Sequence, residues 1–185
     1  MMLDTTNWKK FNLNELFDIS YGNKFDCNKM TSNEGIVSFI TRTGENNGLS
    51  MMVDYVDGIE PNKCGCITVA LGGSIGASFV QSTEFYTGQN VAVLQPKIEN
   101  IKYSHLLFIS TLISHEAKTK FSAFGRELNK HIKNNFIIKL PITKNGFIDF
   151  CLIDDFMNEI VASIAEKHKT KIKEQFFSTC YGGLH

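Results

Sequence analysis

Phe121–Pro141 reads FSAFGRELNKHIKNNFIIKLP, and the reading of the whole chain turns on it. Between residues 118 and 139, Lys118, Lys120, Arg126, Lys130, Lys133 and Lys139 stand against a single acid, Glu127. The chain as a whole carries no net charge, so this is a local concentration of cations. Phe121, Phe124, Leu128, Ile132, Phe136, Ile137 and Ile138 are interleaved with them. The apolar members can anchor the segment to a core while the cations face outward, and a packed basic face suits a phosphate backbone. A solvated charged turn between a helix and a strand has the same composition. Charge alone leaves both readings open.

Toward the C-terminus, Phe136–Leu140 is read as a strand and Gly146 as a turn. One long helix is then expected from about Ile148 or Asp149 to Phe177. Phe150, Ile153, Met157, Ile160, Ile164 and Ile172 make one apolar stripe, with His168 at the intermediate position. Asp149, Asp154 and Asp155 sit early and Lys167, Lys169, Lys171 and Lys173 late, the polarity that suits a helix dipole. A helix of this length extends on the order of 40 Å, so it should project from the globule and pack against another helix.

Toward the N-terminus the pattern becomes short and strand-like. Tyr103–Lys120 shows a helical stripe, and Asn129–Asn135 a second, short helix. Before them, the segment 8–22 reads as strand, short turn or helix, and strand, with Phe11 and Leu13 taken as alternating strand positions. A polar loop covers 23–34. Strands follow at 36–41, around 51–55, at 66–71, 77–80 and 91–95, with Asp57-Gly58 as a hairpin turn and 72–76 (GGSIG) and 85–90 as breaks. This implies an α+β protein: a β-rich, twisted or barrel-like body with short helices over 1–147, and a helical arm over 148–185.

The composition narrows the functional classes. With 185 residues and 43% hydrophobic content, the chain can build a substantial core. Its neutrality argues against a globally basic nucleic-acid binder. Five cysteines at irregular spacing, with no apolar leader, point to a reduced cytoplasmic protein, and no run approaches the ~18 apolar residues of a membrane span. Cys64-Gly65-Cys66 lacks the further ligands a zinc site needs, so no metal is expected. The three prolines never adjoin, which removes the Asn/Asp-Pro-Pro-aromatic motif of an amino-methyltransferase. GGSIG is neither GxGxxG nor a P-loop, and its small residues suit a tight turn. Glu116-Ala117-Lys118 falls on a helix and does not read as a nuclease motif. No catalytic residue is expected.

What remains are loops rich in hydrogen-bonding side chains. Arg42, Thr43, Asn46 and Asn47 form one set; Ser74, Thr87, Gln89 and Asn90 a second; Arg126, Asn129 and Lys130 a third, with Lys120 and Lys133 beside it. Arg and Lys read guanine and Asn and Gln read adenine in the major groove, while Lys and Arg hold phosphates. Turn formation is the competing role of any single Asn.

The order of these pieces resembles the target recognition domain of the DNA-specificity (S) subunits of type I restriction-modification systems. The resemblance runs through Trp8, Phe11, Leu13, Leu16-Phe17 and Gly22. It continues through Ile40-Thr41, Asn47-Gly48, the segment 67–76 and Thr87-Gly88-Gln89-Asn90-Val91, and closes on Gly125, Leu128-Asn129-Lys130, Ile132 and Leu140-Pro141. It implies a non-enzymatic chain that binds double-stranded DNA and reads one half of a bipartite site. By the resemblance the long helix sets the spacing between two such domains and docks methylation and restriction subunits. AdoMet, ATP and Mg²⁺ would sit on those partners, and none on this chain. S subunits carry two recognition domains and two spacer helices; this chain has one of each, so a homodimer through Phe150, Ile153, Met157, Ile160, Ile164 and Ile172 is expected. Two other readings stand beside it: a protein-interaction module with a coiled-coil arm and no DNA, separated by whether the 118–139 cations form one face, and the recognition piece of a fused restriction-methylation enzyme.

Overall fold

The computed structural model describes residues 3–121 and 127–181, with side chains through residue 169. In chain order the elements are β1 (Lys9–Asn12), α1 (Leu13–Leu16), β2 (Phe17–Ser20), β3 (Val37–Ile40), β4 (Leu49–Val53), β5 (Ile67–Ala70) and β6 (Ser78–Val80). They continue with β7 (Phe85–Thr87), β8 (Val91–Pro96), α2 (Tyr103–Lys120), α3 (Leu128–His131), β9 (Ile137–Leu140) and α4 (Phe150–Tyr181). The fold is α+β, a β-rich body followed by a long C-terminal helix, as the sequence indicates.

The strands do not close into one barrel; they divide into three small sheets. One is antiparallel, in the order β2-β8-β5-β6; one is β4-β3-β7; the third is the pair β1-β9. β7 is the strand that periodicity missed. It lies parallel to β3, with Tyr86 opposite Phe39. Its residues 85–87 are fully buried, and Tyr86 Oη donates to the Ile59 carbonyl, so it has no polar face to show a period of two. Leu13 begins α1 instead of extending β1. Asn12 N–H donates to Glu15 Oε1 at 2.7 Å, the reciprocal arm of a capping box, and Leu13 and Leu16 then both face the core.

The main core lies between the four-stranded sheet and α2, where Ile67, Val69 and Leu94 meet Ile109 and Ile113. β9 and α3 add Leu128, Ile132, Phe136, Ile138 and Leu140, so the apolar half of the 121–141 segment anchors as its spacing implies. The start of α4 belongs to the same core. Ile153 is buried there at 1% exposure, and Phe150 stacks on His105 with ring centroids 4.4 Å apart. This corrects the expected interface: Ile153 is consumed by the chain's own core and is not available for pairing. Further out, Ile160, Val161 and Ile164 are exposed. Ile172 lies beyond the residues whose side chains are described.

Asp154 fastens the arm to the body. Its carboxylate accepts from Lys102 Nζ at 2.5 Å and Ser104 Oγ at 3.1 Å, and lies 2.9 Å from His105 Nε2. The Lys102 ammonium, then Ser104, hold this carboxyl below its ordinary value of 3.8. Asp54 is held lower still, to about 2, by the backbone N–H groups of Gly35, Asn33 and Glu34. A carboxyl depressed in the folded state stabilises above its unfolded value, and that contribution is lost as pH falls through the folded one. Asp154→Asn is therefore expected to lower Tm near neutrality and to converge on the wild type below about pH 4, with the residual acid sensitivity carried by Asp54. Melting curves across pH 2–7 check this; a gap that stays constant to pH 2 would exclude the ionic account.

Candidate nucleic-acid interface

The segment 22–25, which borders the polar loops, is tied down at one buried hydroxyl. Thr87, at the end of β7, accepts from Asn23 N–H through Oγ1 at 2.8 Å, and its carbonyl takes Phe25 N–H at 3.0 Å. Asn23 Oδ1 in turn receives Thr87 N–H and Asn62 Nδ2. The segment 22–25 is thereby laced along the strand end. At Gly22 (φ +55) an added Cβ would overlap Thr87 Oγ1, which makes glycine necessary at this crossing.

That lacing brings Tyr21 and Lys24 onto the face of the basic segment. Tyr21 Oη donates to the Asn129 carbonyl at 3.0 Å. Lys133 Nζ lies 4.2 Å from the centre of the Tyr21 ring and Lys24 Nζ 5.4 Å from it. One aromatic ring thus positions two ammonium groups from distant parts of the chain. Beside it opens a cleft of about 340 Å³ lined by Tyr21, Lys24, Leu71, Gln89, Asn90 and Asn129. Lys24 is held at φ +60, and every other described non-glycine residue with positive φ is an Asn. A lysine in the left-handed region is a strained choice, sustained here by the bonds on either side of it.

The 42–47 and 72–76 loops meet next to this cleft. The Arg42 carbonyl accepts Ser74 N–H at 3.2 Å, and the Asn90 carbonyl accepts Leu71 N–H at 2.8 Å. Arg42 and Ser74 therefore stand near Gln89, Asn90, Asn129 and Lys133, whereas the Thr43 hydroxyl accepts from Glu45 N–H at 3.2 Å within its own turn. Of the residues expected from sequence, Arg42, Ser74, Gln89, Asn90, Asn129 and Lys133 lie near one another, and Tyr21 and Lys24 join them.

The other expected residues separate by what the fold asks of them. Asn46 and Asn47 have φ of +47 and +57. Asn46 Nδ2 donates to the Leu49 carbonyl at 3.4 Å and Asn47 Nδ2 to the Val80 carbonyl at 3.2 Å, so both serve the turn. Lys120 is paired with Glu116 and Lys130 with Glu127. Arg126 lies outside the described residues. Lys139 lines an apolar groove with Trp8, His115 and Phe156, away from the cleft. Lys133 is the cation of this segment placed over the Tyr21 ring, where Lys24 joins it from another segment, and Arg42 stands beside Asn90 of the cleft. In contrast to Asn46 and Asn47, the side chains of Arg42, Gln89 and Asn90 have no hydrogen-bond partner within the described residues. Burial pushes the Cys66 thiol up to about 11, and no group of three or more His, Cys, Asp or Glu gathers among the described residues.

A β-rich body that exposes unspent donors and acceptors beside a cation-lined cleft, carried on a projecting helix, is a recognition domain with an arm. The chain belongs to the type I restriction modification DNA specificity domain family, which matches residues 5–174. It is 31% identical over 164 residues to the type II restriction enzyme BgcI specificity subunit S.BcgI of Heyndrickxia coagulans, covering 88% of this chain and 45% of that protein. Its fold is shared with the type I restriction-modification S subunit from M. genitalium (TM-score 0.61, 17% identity, 95% of this chain and 43% of that one). It is shared also with the HsdS subunit from Thermoanaerobacter tengcongensis (TM-score 0.59, 15% identity, 92% and 41%). The chain spans less than half the length of each of these relatives. No helix among the described residues is long and apolar enough to cross a membrane.

Proposed function

We propose that this chain is a non-catalytic, sequence-specific DNA-binding specificity subunit that reads one half of a bipartite site. It directs methylation and restriction subunits, which carry AdoMet, ATP and Mg²⁺. The observation that supports this most directly is the gathering of Lys24, Gln89 and Asn90 at one cleft, with Lys133 over the Tyr21 ring that lines it and Arg42 beside Asn90; the side chains of Arg42, Gln89 and Asn90 have no hydrogen-bond partner among the described residues. Their chemistry matches the two tasks of DNA recognition, with ammonium groups on phosphates and amide or guanidinium groups on base edges. The specificity-subunit relative supports the same reading. Self-association through the outward stripe of α4, with Ile160 and Ile164 at its described end, would present two half-sites in one assembly.

The test is DNA affinity as a function of salt. Lys24→Ala plus Lys133→Ala is expected to weaken binding to all sequences alike and to reduce the slope of log K against log [salt] by about two. An unchanged slope would remove these lysines from the interface. Binding that no duplex DNA elicits, at any salt, would favour the protein-interaction reading.

A further inference from the structure

Gly72 lies where two of the unpartnered side chains converge. A Cβ built there would sit 3.7 Å from Arg42 Nη1 and 3.8 Å from Asn90 Nδ2, so both polar heads lie within 4 Å of one point. Their stems are fixed. Asn90 is held at φ +59 with its carbonyl bonded to Leu71 N–H at 2.8 Å. Arg42 is backed by Gly73, where a Cβ would stand 3.1 Å from the Arg42 carbonyl oxygen and 3.2 Å from its Cγ. Among the described residues the two heads have no hydrogen-bond partner, and both residues are exposed. A guanidinium matches the O6 and N7 edge of guanine and a carboxamide the N7 and N6 edge of adenine. Bases on one strand follow each other at about 3.4 Å, so two heads converging on one point can address neighbouring pairs.

We infer that Arg42 and Asn90 form a two-residue reading head over Gly72 that takes a guanine and an adenine at adjacent base pairs of the recognised half-site. The inference rests on the DNA-binding reading above and goes further by assigning bases to residues. Gly72 has a specific part in it. Its φ is not in the left-handed region and the neighbours of an added Cβ stand at ordinary contact distance. The backbone therefore tolerates a side chain there, and the absence of one leaves the space between the two heads clear for a base edge.

The experiment is selection of bound duplexes from a randomised double-stranded DNA library by the full chain and its variants, with a melting curve for each. The wild type is expected to enrich a site containing adjacent guanine and adenine. Arg42→Ala should lose preference at the guanine alone, by roughly ten- to a hundredfold. Asn90→Asp keeps a side chain that tolerates positive φ and replaces the amide donor by an acceptor. It should lose the adenine and shift toward cytosine, whose N4 donates. Gly72→Ala should melt like the wild type and lose discrimination at both positions. A selected site that Arg42→Ala and Asn90→Asp leave unchanged overturns the inference while DNA binding stands. A guanine and adenine that are not adjacent overturn it equally. A wild-type chain that enriches no sequence overturns both the inference and the reading beneath it.

Discussion

Gly76→Val is expected to lower the free energy of unfolding by about 3–5 kcal/mol, the sum of backbone strain and overpacking. Gly76 has φ +78, and an added Cβ would overlap the Cβ of Ala117, which is itself fully buried on α2. The loop cannot move away, because Gly76 N–H bonds the Ala70 carbonyl at 2.8 Å. Its own carbonyl accepts from Ser114 Oγ at 3.0 Å, and Ser78 N–H donates to the same hydroxyl at 3.1 Å. The clash therefore acts on the contact that seats the 72–76 loop against the helix. Urea denaturation measures the loss. Gly146→Ala is the control: it shares the positive φ, at +81, but has nothing within 4 Å of an added Cβ, so it should cost only about 1–2 kcal/mol of strain. Equal losses for the two variants would refute the packing argument.

The second large effect separates the two ends of one apolar stripe. Ile153→Ala should cost about 3 kcal/mol, because Ile153 is 1% exposed in the main core and its removal leaves a cavity. Ile160→Ala plus Ile164→Ala should change the stability of the isolated globule by no more than about 0.5 kcal/mol per site, since these side chains are 36% and 51% exposed. If α4 pairs with a second copy, the double variant should instead shift the mass in solution toward the monomer. A monomeric wild type would dismiss self-pairing through this face. Any truncation meant to isolate the body must fall beyond Asp154, since an earlier cut removes its bonds to Lys102 and Ser104.

Much of this architecture could be read before folding was considered. α2 occupies Tyr103–Lys120, and α4 begins where the stripe and its acidic first turns put it, because amphipathic periodicity over many residues is a strong signal. β7 was invisible because a strand buried on both faces loses its alternation. The pairing of β1 with β9, across nearly the whole body, has no local signature at all. The interface was legible as residue types but not as a surface. Gln89 and Asn90 look alike in sequence to Asn46 and Asn47; only the fold shows that the latter pair is spent on turn bonds. Lys24 reads as one more residue of a polar loop. Its importance comes from Tyr21 and from Lys133 more than a hundred positions away, a relation that exists only in three dimensions.

The pairing of β1 with β9 puts the place where the chain enters the body beside the place where it leaves for the arm. The loops around Arg42, Gly72 and Asn90 hang from strands enclosed between those two points. An insertion or exchange in them is absorbed within the body and leaves the root of α4 where it was. On the DNA-recognition reading proposed above, the loops and the arm would then be able to change independently of each other.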